Sequence, residues 1–160
     1  MKAVVTFSLI LFSMISFAQE DVANIMWFGK VKSTNGEKLD RVSIKVYKGT
    51  APLKTYTSNS KYKTDEFEGG FVYIVEFSKS GYLTKKIKVD AKNGFFPEDL
   101  PALTQLETDI ELLPIEVKCR YDHFPEYYGL AKIDPATGDF IWDAYFAQKA
   151  SDKCDGLIRQ

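Results

Sequence analysis

An all-β chain folded as a β-sandwich is what three features of this 160-residue sequence predict. Short runs of alternating apolar and polar residues recur about every 8–12 residues, the spacing of sandwich strands. Most runs end at a turn containing Gly, Asn or Pro. No run of helical period precedes residue 114.

The elements follow in order. Residues 25–32 set Ile25, Trp27, Gly29 and Val31 against Met26, Phe28, Lys30 and Lys32, a strand closed by the Ser33-Thr34-Asn35-Gly36 turn. Val42, Ile44 and Val46 alternate with Arg41, Ser43, Lys45 and Tyr47, a half-buried strand with a wet face. Lys45, on that wet face, reads as solvated rather than as the lysine of an isopeptide cross-link. Gly49 to Pro52 turns the chain into a weaker strand, Leu53 to Thr57, expected at a sheet edge, and the polar stretch Asn59 to Lys63 reads as a loop. Phe71, Tyr73, Val75 and Phe77 share one face of the next strand, and Val72 and Ile74 share the other. Apolar groups on both faces predict a central place in the sheet. Ser80-Gly81 turns into Tyr82 to Val89, with Leu83, Ile87 and Val89 inward and Lys86 and Lys88 outward. After a long connection over 91–104, Leu106 to Leu113 reads as one further strand, stopped by Pro114.

Residues 114–160 differ in character. Leu130 to Ile133 and Asp139 to Trp142 flank Asp134-Pro135-Ala136-Thr137-Gly138, which predicts a β-hairpin. Asp143 then stands as the N-cap of a short helix, Ala144 to Lys153.

The two ends predict a chain outside the cytoplasm. Lys2 precedes an apolar run from Ala3 to Phe17, and Ser16-Phe17-Ala18 has small residues at −3 and −1 of a cleavage point. The run is shorter than the roughly 20 residues a membrane helix needs. Residues 1–18 are therefore expected to be a cleaved signal peptide, and the mature chain, periplasmic or secreted, is not expected to insert in a membrane. Cleavage takes one lysine from 21 basic residues set against 22 acidic ones. Such a balanced surface gives no electrostatic case for nucleic acid. The two cysteines, Cys119 and Cys154, are an even count in an oxidising compartment and are expected to pair.

The pieces Gly29-Lys30-Val31, Gly36-Glu37-Lys38-Leu39, Val42 to Val46, Thr64-Asp65, Gly70-Phe71 and Lys79-Ser80-Gly81-Tyr82, taken in order, resemble the carboxypeptidase regulatory-like (transthyretin-like) domain. The resemblance covers about residues 25–113 and divides the mature chain into a domain, 19–113, and an extension, 114–160. It implies a seven-stranded Greek-key sandwich of the kind common in exported proteins of Bacteroidetes-type bacteria, serving as a structural or interaction module. Gly36 and Gly81 suit turn positions with φ > 0, and Gly69-Gly70 suits a tight approach to a central strand. The resemblance carries over no catalytic residue. The hydroxyisourate hydrolases of the same fold rely on several histidines and a Tyr-Arg-Gly-Ser tail, whereas this chain ends Gly156-Leu157-Ile158-Arg159-Gln160. The zinc carboxypeptidases that carry the domain keep their catalysis in another domain.

No constellation of side chains argues for chemistry. His123, the single histidine, lies between Asp122 and Glu126 but lacks the further ligands a zinc site needs. Asp134, Asp139 and Asp143 lack the spacing of a calcium loop and have turn, strand-edge and capping tasks instead. No Gly-x-Ser-x-Gly elbow and no phosphate loop occur. The expectation is thus a non-enzymatic chain with no catalytic residue, no metal and no cofactor. One cluster suits recognition: Tyr121, Phe124, Tyr127, Tyr128, Trp142 and Tyr145. Aromatics with polar tips serve protein interfaces and stack on sugars, although the same residues would also staple the extension onto the sandwich. The expected function is a binding or scaffold module of the cell envelope with a protein partner, with glycan binding through the aromatic cluster as the alternative. Strand addition at an open sheet edge is one mode of protein contact.

The cysteine expectation is checked by thiol labelling of natively exported protein. Without reductant neither Cys119 nor Cys154 should take label, and labelling of both would refute the pairing. Reduction should destabilise the chain by roughly 3–4 kcal/mol, the loop-entropy value for a closed loop of about 36 residues.

Overall fold

The computed structural model describes residues 24–64, 67–92, 103–115, 126–134, 137, 139–143 and 145–146. The chain is all-β: helical backbone among the described residues is confined to Tyr145 and Phe146. The strands are β1 (Asn24–Ser33), β2 (Asp40–Lys48), β3 (Ala51–Asn59), β4 (Lys61–Lys63), β5 (Phe67–Glu68), β6 (Val72–Ser78) and β7 (Lys85–Asp90). They are followed by β8 (Leu103–Glu107), β9 (Ile110–Leu112), β10 (Gly129–Ile133) and β11 (Phe140–Trp142).

These strands form two mixed sheets that face each other as a sandwich. The first runs β11-β10-β7-β6-β2-β3. The second is built on β1, which pairs antiparallel with β4 and β5 along one edge and parallel with β8 and β9 along the other. The sheets join where the chain swings from β3 into β4 at Ser60, whose φ of 61° lies in the left-handed region. Gly36 and Gly81 take φ of 87° and 82°, as their turn roles require.

Alternation along each strand fills the space between the sheets. Val42, Ile44 and Val46 of β2, Tyr73, Val75 and Phe77 of β6, and Ile87 and Val89 of β7 are buried on the first sheet. Ile25, Trp27 and Val31 of β1 face them, with Tyr62, Phe67 and Ile110. At the centre three rings meet edge to face: Trp27 with Tyr62 at 5.7 Å, Trp27 with Phe77 at 5.7 Å and Tyr62 with Phe77 at 5.2 Å. Each such pair contributes about 0.5–1.5 kcal/mol beyond the area it buries. Thr64 ties β1 to the chain after β4. Its amide and its hydroxyl both donate to the Trp27 carbonyl, at 2.8 Å and 3.1 Å.

Two expectations are corrected. Asn59 to Lys63 contains strand β4 rather than a loop alone, because Tyr62 between two exposed lysines supplies the ring that Trp27 and Phe77 pack against. The single strand expected from Leu106 to Leu113 is two strands, broken at Thr108-Asp109. There the Thr108 carbonyl lies directly over the Cα of Gly29, in the space a Cβ would fill. The break is held by three hydrogen bonds. The Tyr62 hydroxyl donates to the Thr108 carbonyl at 2.6 Å, the Thr108 amide to the Phe28 carbonyl at 3.0 Å, and the Lys30 amide to an Asp109 carboxylate oxygen at 3.0 Å. The central place expected for β6 is observed, between β2 and β7.

Gly29→Ala should therefore cost about 2–3 kcal/mol of stability, since the intruding atom is backbone and cannot swing aside. Tyr62→Phe, which keeps the ring and removes the donor, should cost about 1–2 kcal/mol. Urea denaturation of both variants checks this. Burial, and secondarily the Asp109 carboxylate, raise the Tyr62 phenol well above the ordinary tyrosine range. The unfolded chain then loses a proton that the folded chain keeps, so stability should fall as pH rises past the ordinary value of about 10. That alkaline slope should shrink in Tyr62→Phe.

Candidate functional site

The widths of the two sheets differ, and a cleft results. Val46 pairs with Lys54 and Ile44 with Tyr56, so Lys54 and Tyr56 point from β3 toward the same side as the core. Among the described residues, no strand of the second sheet extends over them: Lys54 is exposed and Tyr56 half-buried, while Ile44 and Val46 are buried. The overhang leaves a cleft of ≈ 280 Å³ between β3 and β5. Val46, Leu53 and Phe67 form its apolar wall, Tyr56 and Tyr73 add rings with polar tips, and Lys48, Lys54 and Glu68 carry the charge.

The far wall of the cleft is clamped. The Phe67 and Tyr73 rings stack at 4.6 Å with 22° between their planes. The Tyr73 hydroxyl accepts from the Glu68 amide and donates to the Glu68 carbonyl, both at 3.1 Å, pinning β5 to the opposite sheet. Lys48 donates to the Glu68 carboxylate at 2.7 Å with its ammonium 3.4 Å from the centre of the Phe71 ring. The hydrogen bond to Glu68 raises the Lys48 pKa, and burial raises that of Tyr73. Both groups keep their protons throughout the neutral range.

β3 is also the margin of its sheet. Among the described residues, no strand pairs with its outer edge before Asn59, which meets Lys61 of β4. Pro52 within β3 fits an edge position, since proline has no N–H to give a neighbouring strand. Lys45, on the neighbouring strand β2, is exposed and ion-paired with Glu76 at 3.9 Å. None of the cleft residues carries a motif. The one signal was that Lys54 and Tyr56 stand where an inward-facing strand position calls for an aliphatic side chain.

The aromatic residues singled out in the C-terminal segment are divided. Tyr121 and Phe124 lie outside the described residues, as do Cys119, His123 and Cys154. The expected hairpin is present: Ile133 pairs with Phe140 and Ala131 with Trp142. It joins the first sheet through β10, which runs parallel to β7 from the Gly129–Ile87 pair to the Lys132–Asp90 pair. Trp142 lays its indole over the Cα of Gly129 and packs against the core, and Tyr128 also packs there and beside Leu83. Tyr127 is half-buried, and a hydrogen bond to Glu126 raises its pKa. Tyr145 is 70% exposed. Asp143 caps the turn as expected, accepting from the Phe146 amide at 2.9 Å, and it pairs with Lys132 at 3.0 Å. Of the predicted helix, only Tyr145 and Phe146 lie among the described residues.

No protein-family model matches the chain, and no curated protein matches it. Several solved structures are similar. A chlorocatechol 1,2-dioxygenase from Pseudomonas putida is 13% identical, over 61% of this chain and 62% of its own, with a TM-score of 0.37. A candidate membrane-associated protein of unknown function from Bacteroides fragilis is 21% identical, over 59% and 29%, with a TM-score of 0.37. A candidate carbohydrate-binding protein from Bacteroides uniformis is 16% identical, over 57% and 42%, with a TM-score of 0.37. In each case the match spans less than two thirds of the other chain. The expectation of a non-enzymatic chain is corrected here, because the similar structures include dioxygenases and the absence of familiar motifs does not set this chain apart from enzymes. Likeness at these scores carries no activity over to this chain.

The Asp143 cap is testable by pH. The Phe146 amide, then Lys132, hold its carboxyl below the ordinary aspartate range. Asp143 therefore contributes stability above the unfolded value of about 3.9, and that contribution is lost as pH falls through the lower folded one. In Asp143→Ala the amide signals of the turn at Tyr145 and Phe146 should no longer titrate in this acid range, as followed by NMR.

Proposed function

We propose that this chain is an exported binding or scaffold module of the bacterial cell envelope that engages a protein partner by strand addition along β3. The observation that carries this reading is a nine-residue strand at the margin of its sheet, with most of its side chains exposed and a cleft behind it. A sheet edge offers backbone donors and acceptors at fixed spacing, and the rigid sandwich holds them in register for an extended segment. The seven-stranded Greek key of the carboxypeptidase regulatory-like domain is the family reading of residues 19–113 that accords with this role. It is supported by the positive φ of Gly36, Gly70 and Gly81. In this reading residues 1–18 are removed on export, the mature chain is periplasmic or secreted, and a Cys119–Cys154 disulfide closes the extension. Among the described residues no helix is long and apolar enough to cross a membrane.

Glycan binding at the C-terminal aromatics is a second reading, favoured by the exposure of Tyr145 and the partial exposure of Tyr127. Tyr145→Ala would then abolish retention on polysaccharide while leaving the unfolding midpoint unchanged.

The strand-addition reading is tested with a photo-cross-linker placed at Thr55 or Thr57 in intact cells. It should join the chain reproducibly to an extended segment of one envelope protein, mapped by peptide mass spectrometry. Thr55→Pro, which removes an edge N–H without touching the core, should eliminate that cross-link. A cross-link that survives Thr55→Pro would overturn docking at β3.

A further inference from the structure

Among the described residues, one asparagine is followed directly by glycine, at the turn that joins β1 to β2. Asn35 and Gly36 are both exposed there, and nothing lies within 4 Å of the point where Gly36 would carry a Cβ. An asparagine side chain can react with the backbone nitrogen of the residue after it, because the two close a five-membered ring. A side chain on that next residue crowds the approach, and glycine has none. The pair is therefore a reactive site as well as a turn.

The reaction needs no reagent but water. The Gly36 nitrogen bonds to Cγ of Asn35, the bond from Cγ to Nδ2 breaks, and ammonia leaves with the proton that the Gly36 nitrogen gives up. The product is a succinimide. Water then opens the ring at either carbonyl. One opening gives aspartate in the ordinary backbone. The other gives isoaspartate, whose main chain runs through the side chain and is one carbon longer.

Two hydrogen bonds of the turn bear on this reaction in opposite ways. The Glu37 amide donates to Oδ1 of Asn35 at 3.0 Å, which draws electrons from Cγ and favours attack on it. The Gly36 amide donates to the Ser33 carbonyl at 2.8 Å, which ties up the proton it must lose and fixes the nitrogen in the turn. The second bond decides the rate, since a polarised carbon does not react until a nucleophile reaches it. Its release requires only the tip of the hairpin to open. Every residue from Thr34 to Lys38 is exposed, while the flanking Ser33 and Leu39 are buried. Such a tip opens at far lower cost than the sandwich unfolds.

We propose that Asn35 is a site of spontaneous deamidation through a succinimide, held back by the Gly36–Ser33 hydrogen bond and released by local opening of the turn. The two products act differently on the hairpin. Aspartate keeps an oxygen that accepts from the Glu37 amide. Isoaspartate inserts a carbon between the Ser33 amide and the Glu37 carbonyl, which otherwise meet at 2.7 Å, and so breaks the closure of the hairpin.

The purified chain is incubated folded and in guanidinium chloride at mildly alkaline pH. Peptide mapping by mass spectrometry separates Asn35 from Asn93-Gly94, the other such pair in the sequence. The unfolded chain should convert Asn35 readily, with isoaspartate among the products. The folded chain should convert it at least about tenfold more slowly, by the factor that hydrogen exchange gives for protection of the Gly36 amide. Gly36→Ala, compared in guanidinium chloride where its φ imposes no strain, should slow the conversion severalfold. Aspartate as the sole product would overturn the succinimide route. Folded and unfolded chains converting alike would overturn the restraint by the turn, and so would slowed conversion beside an unprotected Gly36 amide. A folded-state rate that follows global unfolding would overturn local opening. No conversion of Asn35 in guanidinium chloride would overturn the inference outright.

Discussion

The edge-to-face contact among Trp27, Tyr62 and Phe77 is where the two sheets become one body. Each ring comes from a different strand, and two of the three strands lie on the second sheet. β1 must lie flat against β4 to bring Trp27 and Tyr62 together, and Gly29 permits this by leaving room for the Thr108 carbonyl beside the same tyrosine. One phenol therefore does two jobs. Its ring fills the core and its hydroxyl satisfies a carbonyl that the break between β8 and β9 takes out of the ladder. A buried carbonyl left without a donor is costly, so the break, the glycine and the tyrosine stand or fall together.

The cleft follows from this arrangement. Among the described residues, the first sheet is six strands wide, while the second has β1 with one row of partners on each side. Packing centred on Trp27 covers β2, β6 and β7 and leaves the inward face of β3 partly open. Lys48, Glu68 and Tyr73 close the inner end of that opening with an ion pair and a hydrogen-bonded hydroxyl. What is left, among the described residues, is a strand at the margin of its sheet with an apolar wall behind it.

At the opposite margin the sheet is finished differently. The β10–β11 hairpin adds to β7, and Trp142 covers Gly129 so closely that no side chain fits there. Two of the aromatics that suggested recognition, Tyr128 and Trp142, thus spend much of their surface on packing. Among the described residues of that region, the exposed ring is Tyr145, just beyond the Asp143 cap.

The all-β class, the central place of β6, the turn glycines and the Asp143 cap were legible in the sequence. Each depends on interactions between residues a few positions apart: alternation, turn conformation and capping. Tyr62 was not legible as core, because a lone tyrosine between lysines matches a polar loop until its long-range partners are known. The break at Thr108 was equally hidden, since its cause is a glycine 79 positions away in the register of β1 with β8 and β9. The cleft was hidden too, because the sequence does not state how far one sheet extends over another. The sequence by itself determined which residues alternate and where the chain turns. Only the tertiary structure decided which side chains meet beside the marginal strand and how far the facing sheet covers it, because both depend on contacts between segments far apart in the chain.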